Sequence, residues 1–220
     1  MPFRAVLFDH DGTLVDSEPV HHRLWNGVLA AYGVVIPGDL YQRRYAGVPC
    51  LANAGDLVRR FGLAVPAGAL AEAKNAATRA FLAESAFPLM PGVAQALEAL
   101  EGLGLKLGVV TGASGHGVRA TLAAYGLGRR FAVIVSGDDV ARSKPAPDCY
   151  LLAAQRLGLE PGHCVALEDT GPGLQAAHRA GVPCLALPTP MSRHHDFSQA
   201  LAVLDGMPAA VVHLRRALGA

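Results

Sequence analysis

Strong charge of either sign is missing from this chain. Its 19 Lys and Arg nearly cancel its 18 Asp and Glu, leaving a formal charge of +1, with the basic residues scattered along the sequence. Proteins that bind polyanions cluster positive charge on one face, so no nucleic-acid partner and no anionic membrane partner is expected. Long hydrophobic runs are missing too. No segment approaches the roughly 18 uninterrupted apolar residues that a bilayer-spanning helix needs. The opening MPFRAVLFDHDG goes from a short apolar run straight into acidic residues, without a long hydrophobic region or a small-residue cleavage site. A cytoplasmic, monomeric protein is the expectation. Cysteine is scarce, and Cys50, Cys149, Cys164 and Cys184 include no CxxC pair. Cys164 and Cys184 fall inside strand-like apolar runs, so buried reduced thiols are expected rather than a disulfide or zinc framework.

What the chain does have is apolar side chain: 51% of its 220 residues are hydrophobic and 17% charged, enough for a globular core without a staple. Five short apolar runs stand out, Phe3 to Phe8, Leu105 to Val110, Phe131 to Val135, His163 to Leu167 and Pro183 to Leu187. None alternates apolar with polar, the pattern of strands buried on both faces. Helix-length stretches separate the later runs at Ser114 to Tyr125, Pro147 to Leu157 and Gly171 to Ala180. Strand, helix and strand at this spacing predict an α/β fold with a Rossmann-like parallel sheet of five to six strands.

One gap breaks the rhythm. Almost a hundred residues lie between the first two runs, and they read as helices around 18–33, 38–46, 51–62 and 66–86. The expected organisation is a Rossmann-like core of residues 1–16 and 88–220 with an inserted helical domain of residues 17–87. Pro91 suits the first turn of a core helix running to about Leu103. In open sheets of this kind ligands bind outside the carboxyl ends of the strands, so the residues after each run are the candidates.

The first run ends in Asp9-His10-Asp11-Gly12, which can present two acids from a tight turn to one site. It also reads as an ordinary acidic turn, and Asp16 and Ser17 fit a helix cap ahead of Pro19. Thr111-Gly112 after the second run offers a hydroxyl and an open backbone NH to a phosphoryl oxygen, or a plain turn. Lys144, held extended by Pro145, can neutralise phosphate charge and tether a carboxylate, or lie solvated at the surface. Glu168-Asp169 after the fourth run offers oxygen ligands for Mg²⁺, or caps the following helix.

Four such motifs in order at four successive strand ends make coincidence a poor explanation. As a set, DHDGTLVDSE, VVTGAS, SKPAPD and ALEDTGPGLQAA resemble the four motifs of the haloacid dehalogenase superfamily, over nearly the whole chain. Within it the chain looks most like the branch of β-phosphoglucomutase and the small sugar-phosphate phosphatases, whose cap follows the first motif. The resemblance implies Asp9 as nucleophile and Asp11 as general acid and base, with the Asp11 carbonyl on the metal. It implies Thr111, Gly112 and Lys144 around the transferring phosphoryl group, and Mg²⁺ held by Asp9, Asp11, Asp169 and Glu168. True dehalogenases lack the second aspartate, so Asp11 argues against that chemistry.

In the first cap helix His21 and Trp25 lie four residues apart on one face. A packed core pair is one reading. The resemblance implies the other, that they and Lys74 face the substrate. His22 is expected to be exposed, and His194-His195 offers only a weak metal-binding reading. The mutases resembled here carry a cap arginine that clamps a second phosphate, where this chain has Gly47-Val48-Pro49-Cys50. The expectation is a Mg²⁺-dependent phosphatase acting on a small phosphate ester, with a phosphomutase and a non-catalytic phosphate-binding protein as alternatives.

Overall fold

The structure is a computed structural model that describes residues 3–219. Six strands form one sheet in the order β3-β2-β1-β4-β5-β6: β1 (Ala5–Phe8), β2 (Lys106–Val110), β3 (Phe131–Val135), β4 (Cys164–Glu168), β5 (Cys184–Ala186) and β6 (Ala202–Val203). All the neighbours pair in parallel. The first strand lies in the middle of the sheet between β2 and β4, and its four residues are buried. Unbroken apolar runs are what such two-sided burial requires. Gly108 shows how tight this is: a Cβ there would lie 2.7 Å from Val133 and 2.9 Å from Leu7 side-chain atoms.

Contacts divide the chain into an α/β unit, which ends at Asp16 and resumes at Pro88, and a helical unit, Ser17–Phe87. In the α/β unit the outgoing and returning segments are tied, with Asp16 N–H donating to Pro88 O at 2.8 Å and Met90 N–H to Leu14 O at 2.9 Å. Its helices are α5 (Val93–Gly102), α6 (Gly115–Ala124), α7 (Asp148–Leu157), α8 (Gly171–Arg179) and α9 (Gly206–Leu218). Leu7, Val135, Tyr150, Ala153, Leu174 and Val182 belong to one buried cluster beneath α7 and α8. The short β6 and the helix α9 were not among the expected elements, because their runs are too brief or too mixed to signal themselves. Pro91 is not in the first turn of α5. Gly92 takes φ +80°, which breaks the backbone just ahead of the helix.

The helical unit comprises α1 (Glu18–Leu29), α2 (Gly38–Arg44), α3 (Cys50–Phe61) and α4 (Ala67–Glu84). Trp25, Leu29, Ile36, Tyr41, Tyr45, Leu57 and Leu70 form its buried centre. Pro19 does sit at the start of α1, but Ser17 at the cap position makes no side-chain capping bond. The helix stops at Leu29, short of residue 33, because a tighter turn at Ala30–Tyr32 leads into Gly33 at φ +66°. His22 is half-buried rather than exposed. Its Nε2 lies 2.7 Å from Ile36 O, and its ring stacks on Tyr41 at 4.6 Å. That bond fastens the chain after α1 back onto the helix. Among the described residues no helix is long and apolar enough to cross a membrane.

Leu57 is fully buried in this helical centre. Leu57→Ala should therefore lower stability by about 2–5 kcal/mol, through lost transfer energy and a residual cavity. Urea denaturation followed by far-UV circular dichroism reads the shift.

Candidate active site

Asp9 continues β1 by one ladder bond, its N–H donating to Leu167 O at 2.9 Å, so the carboxylate stands at the strand tip. The chain then turns sharply. Leu14 N–H and Val15 N–H both donate to His10 O, at 2.9 and 3.0 Å, while Gly12 takes φ +82°. Only glycine fits position 12. A Cβ there would fall 2.3 Å from Asp169 Oδ2, so the turn and the tip of β4 touch.

Lys144 is the hub. Its Nζ donates to Asp9 Oδ1 at 2.6 Å, to Glu168 Oε1 at 2.5 Å and to Val110 O at 2.8 Å. The three ammonium protons are thereby matched to three acceptors on the tips of three different strands. Glu168 is fully buried, and its Oε1 also accepts from Tyr150 Oη at 2.6 Å. The Tyr150 ring lies beneath the ammonium, 5.2 Å from centroid to Nζ. Asp169 is 5% exposed, and its Oδ1 is buried with no hydrogen-bond partner among the described residues. The following helix is capped by Thr170, whose Oγ1 accepts from Gly173 N–H at 3.2 Å, so neither acid of the pair serves as its cap.

Ligand atoms of Asp9, Glu168 and Asp169 all lie within 4.8 Å of one another. Three acids face one ammonium. Burial, the Asp11 and Glu168 charges and the counter-pull of Lys144 leave the Asp9 carboxyl raised, with burial the largest cause. Burial also pushes Asp169 well up, reinforced by the Asp9 and Glu168 charges. Burial by itself would lower Lys144, but the Asp9 and Glu168 carboxylates outweigh it and hold the ammonium above the usual lysine range. The arrangement is thus short of positive charge.

Thr111 is buried at the tip of β2, and its N–H donates to Val135 O at 3.0 Å. Its Oγ1 accepts from Ala113 N–H at 3.0 Å, so the hydroxyl shapes the turn as well as lining the strand tips. A Cβ on Gly112 would approach Ser143 Oγ at 2.9 Å, which brings the loops after β2 and β3 together. Asp9, Lys144, Glu168 and Asp169 meet as one cluster, and Asp11 follows on the turn with its side chain 27% exposed. Sequence reasoning missed Tyr150, because an aromatic early in a helix reads as core. It also missed the Val110 carbonyl, since main-chain acceptors leave no sequence signal.

His21, Trp25 and Lys74 lie together in the helical unit. His21 Nδ1 and Lys74 Nζ are 3.0 Å apart, and Nζ lies 6.0 Å from the Trp25 ring centroid. His194 and His195 do not join a metal group among the described residues. Instead His195 Nδ1 accepts from Gly171 N–H at 3.1 Å, at the start of α8. All four cysteines are free thiols.

Residues 3–181 match the haloacid dehalogenase-like hydrolases. The chain is 35% identical to the protein CbbY of Rhodobacter capsulatus, over 91% of this chain and 92% of that one. It is 36% identical to the fructose-1-phosphate phosphatase YqaB of Escherichia coli, over 82% and 94%. Among solved structures it is similar to a mutant of CbbY from Rhodobacter sphaeroides in complex with xylulose-(1,5)bisphosphate. That likeness has a TM-score of 0.81 at 33% identity, covering 93% of this chain and 95% of the other. The chain belongs to the haloacid dehalogenase-like hydrolases. Its catalytic class is that of the enzymes in this family that hydrolyse phosphate esters.

Gly173 tests how closely this site is packed, since an added Cβ would sit 1.9 Å from Glu168 Oε2. Glu168 can yield only by leaving Lys144 or Tyr150. Gly173→Ala should cost about 1–3 kcal/mol by overpacking and should depress turnover as well. Gly162→Ala, where nothing lies within 4 Å of an added Cβ, should change neither. Urea midpoints and phosphate release measured side by side give the comparison.

Proposed function

We propose that the chain is a Mg²⁺-dependent sugar-phosphate phosphatase that works through an acyl phosphate on Asp9. The observation that carries this reading is Lys144 bridging Asp9 and Glu168, beside an Asp169 carboxylate whose buried Oδ1 has no partner. A divalent cation fits that place. Three acids share one ammonium, and an orphaned carboxyl oxygen is a natural ligand for a hard cation. Asp9, Asp169 and Glu168 would hold the ion together with the Asp11 carbonyl. Bound there, Mg²⁺ supplies positive charge that offsets the repulsion between Asp9 and an incoming phosphate.

The residues then divide the work. Lys144 holds one Asp9 oxygen, which aims the carboxylate, and it remains at the tips of the strands to face the phosphoryl oxygens. Thr111 and the Gly112 backbone are the further donors. Asp9 attacks phosphorus, the bond to the ester oxygen breaks, and that oxygen leaves with a proton from Asp11. In the second half-reaction Asp11 takes a proton from water as it attacks the aspartyl phosphate, which frees Asp9 and inorganic phosphate.

The substrate class is supported by the relatives, one named for fructose 1-phosphate and one solved with a sugar bisphosphate. In this reading His21, Trp25 and Lys74 serve substrate selection in a cap made of residues 17–87. Hydrolysis is favoured over mutase chemistry by position 50. Cys50 opens α3 with its thiol toward Ala71 O at 3.6 Å, and it offers no charge to retain a second phosphate. The same reading gives a cytoplasmic monomer acting on a small metabolite, and the net charge of +1 supports the lack of a polyanionic partner.

Asp9→Asn should abolish phosphate release from every ester in a panel of sugar and polyol phosphates while the urea midpoint stays measurable, because an amide cannot form the acyl phosphate. More than a trace of turnover in the folded variant would end the covalent mechanism. EDTA should silence the native enzyme, Mg²⁺ should restore it, and Ca²⁺ should inhibit, because its looser coordination misplaces Asp9. Full activity in EDTA, with tightly held metal excluded by elemental analysis, would contradict the assignment. With β-glucose 1-phosphate and a trace of its bisphosphate, inorganic phosphate should exceed glucose 6-phosphate. Many turnovers to glucose 6-phosphate per phosphate released would instead establish a mutase.

A further inference from the structure

Between the two aspartates of the first motif stands a histidine that the mechanism above does not use. His10 is 1% exposed, as buried as the strand that precedes it. Its Nδ1 lies 3.3 Å from Asp11 Oδ2, and its Nε2 is buried with no hydrogen-bond partner among the described residues. An apolar side chain at this position would avoid the desolvation cost of the second ring nitrogen. The carboxylate oxygen opposite Nδ1 assigns the tautomer: the proton sits on Nδ1 and is donated to Asp11, and Nε2 carries the lone pair. The main chain adds rigidity. His10 O accepts from both Leu14 and Val15 N–H, so the imidazole projects from a backbone fixed at the turn.

We propose that His10 is a positioning residue for Asp11, its Nδ1–H holding Oδ2 so that the carboxyl is presented to the ester oxygen as the phosphorus–oxygen bond breaks. The inference rests on the reading of Asp11 as general acid. In the step concerned the Asp9 oxygen–phosphorus bond forms and the ester bond breaks. The electron pair of that bond stays on the ester oxygen, which takes the Asp11 proton and departs as an alcohol. Proton delivery matters most when the leaving oxygen is a poor leaving group. A sugar alkoxide needs the proton, whereas p-nitrophenolate departs without it. A fault in aiming Asp11 therefore penalises alkyl esters selectively, and a fault in the fold or in the phosphate cradle penalises both kinds alike.

The experiment compares kcat/KM for p-nitrophenyl phosphate with that for an alkyl ester, taken as the fastest among fructose 1-phosphate, glucose 6-phosphate and glycerol 3-phosphate. The quantity read is the alkyl-to-aryl ratio in His10→Leu, His10→Gln, His10→Asn and Asp11→Asn, each checked for folding by its urea midpoint. The asparagine amide reaches about where Nδ1 stands, and the glutamine amide about where Nε2 stands. His10→Leu and His10→Gln should lower the ratio about tenfold, part of the roughly 10²- to 10⁴-fold expected of the acid itself. His10→Asn should restore it to within about threefold of the native value, and Asp11→Asn should lower it most. If His10→Leu fails to fold, the difference between the asparagine and glutamine variants decides. An unchanged ratio in the folded His10 variants, or rescue by glutamine rather than asparagine, would overturn the inference while leaving Asp11 as the acid. An unchanged ratio in Asp11→Asn would overturn both.

Discussion

Everything at the sheet tips depends on one ammonium group. Lys144 joins the end of β1 through Asp9, the end of β2 through Val110 O and the end of β4 through Glu168. A buried ion pair is a weak source of net stability, because taking the charges out of water offsets most of their attraction. What this one does provide is geometry. With each ammonium proton matched to a separate acceptor, the lysine has little freedom left, and neither do the two carboxylates it holds. Tyr150 tightens the same node from below, through its hydroxyl on Glu168 and its ring under the ammonium.

Satisfying Lys144 leaves the acids unsatisfied. Asp169 comes to the same place with a buried oxygen that no group among the described residues pairs, and burial raises it together with Asp9. Proteins seldom leave a carboxylate in that condition without a use. The deficit of positive charge is the condition under which a hard cation is a fitting ligand. Glycine makes this crowding possible. Positions 12 and 173 lie where any Cβ would strike the carboxylates of Asp169 and Glu168.

The helical unit is held by different physics, an aromatic and aliphatic centre with polar ties at its edge. Glu18 shows the type, accepting from Tyr41 Oη at 2.5 Å and from Gly47 N–H at 2.7 Å. Within it the buried Lys74 lies beside His21 and Trp25.

The sequence by itself determined the parallel sheet and the strand-end addresses of the site. Strands buried on both faces must be unbroken apolar runs, and a polar residue placed directly after one has only the strand tip to occupy. Asp9, Glu168 and Asp169 were legible for that reason and Lys144 through Pro145, which disfavours the helical region for it, and their order along the chain carried the family. The start of α5 was misread, since Pro91 suits a first turn in isolation and only the backbone reveals Gly92 in the left-handed region. His22 was misread as surface for a related reason, because its partner Ile36 lies beyond the helix end. Tertiary structure alone decided which groups finish the site. Tyr150 and the Val110 carbonyl act through distance and direction across elements that are remote in sequence, and no local pattern encodes a hydrogen bond between elements that meet only when the sheet has formed.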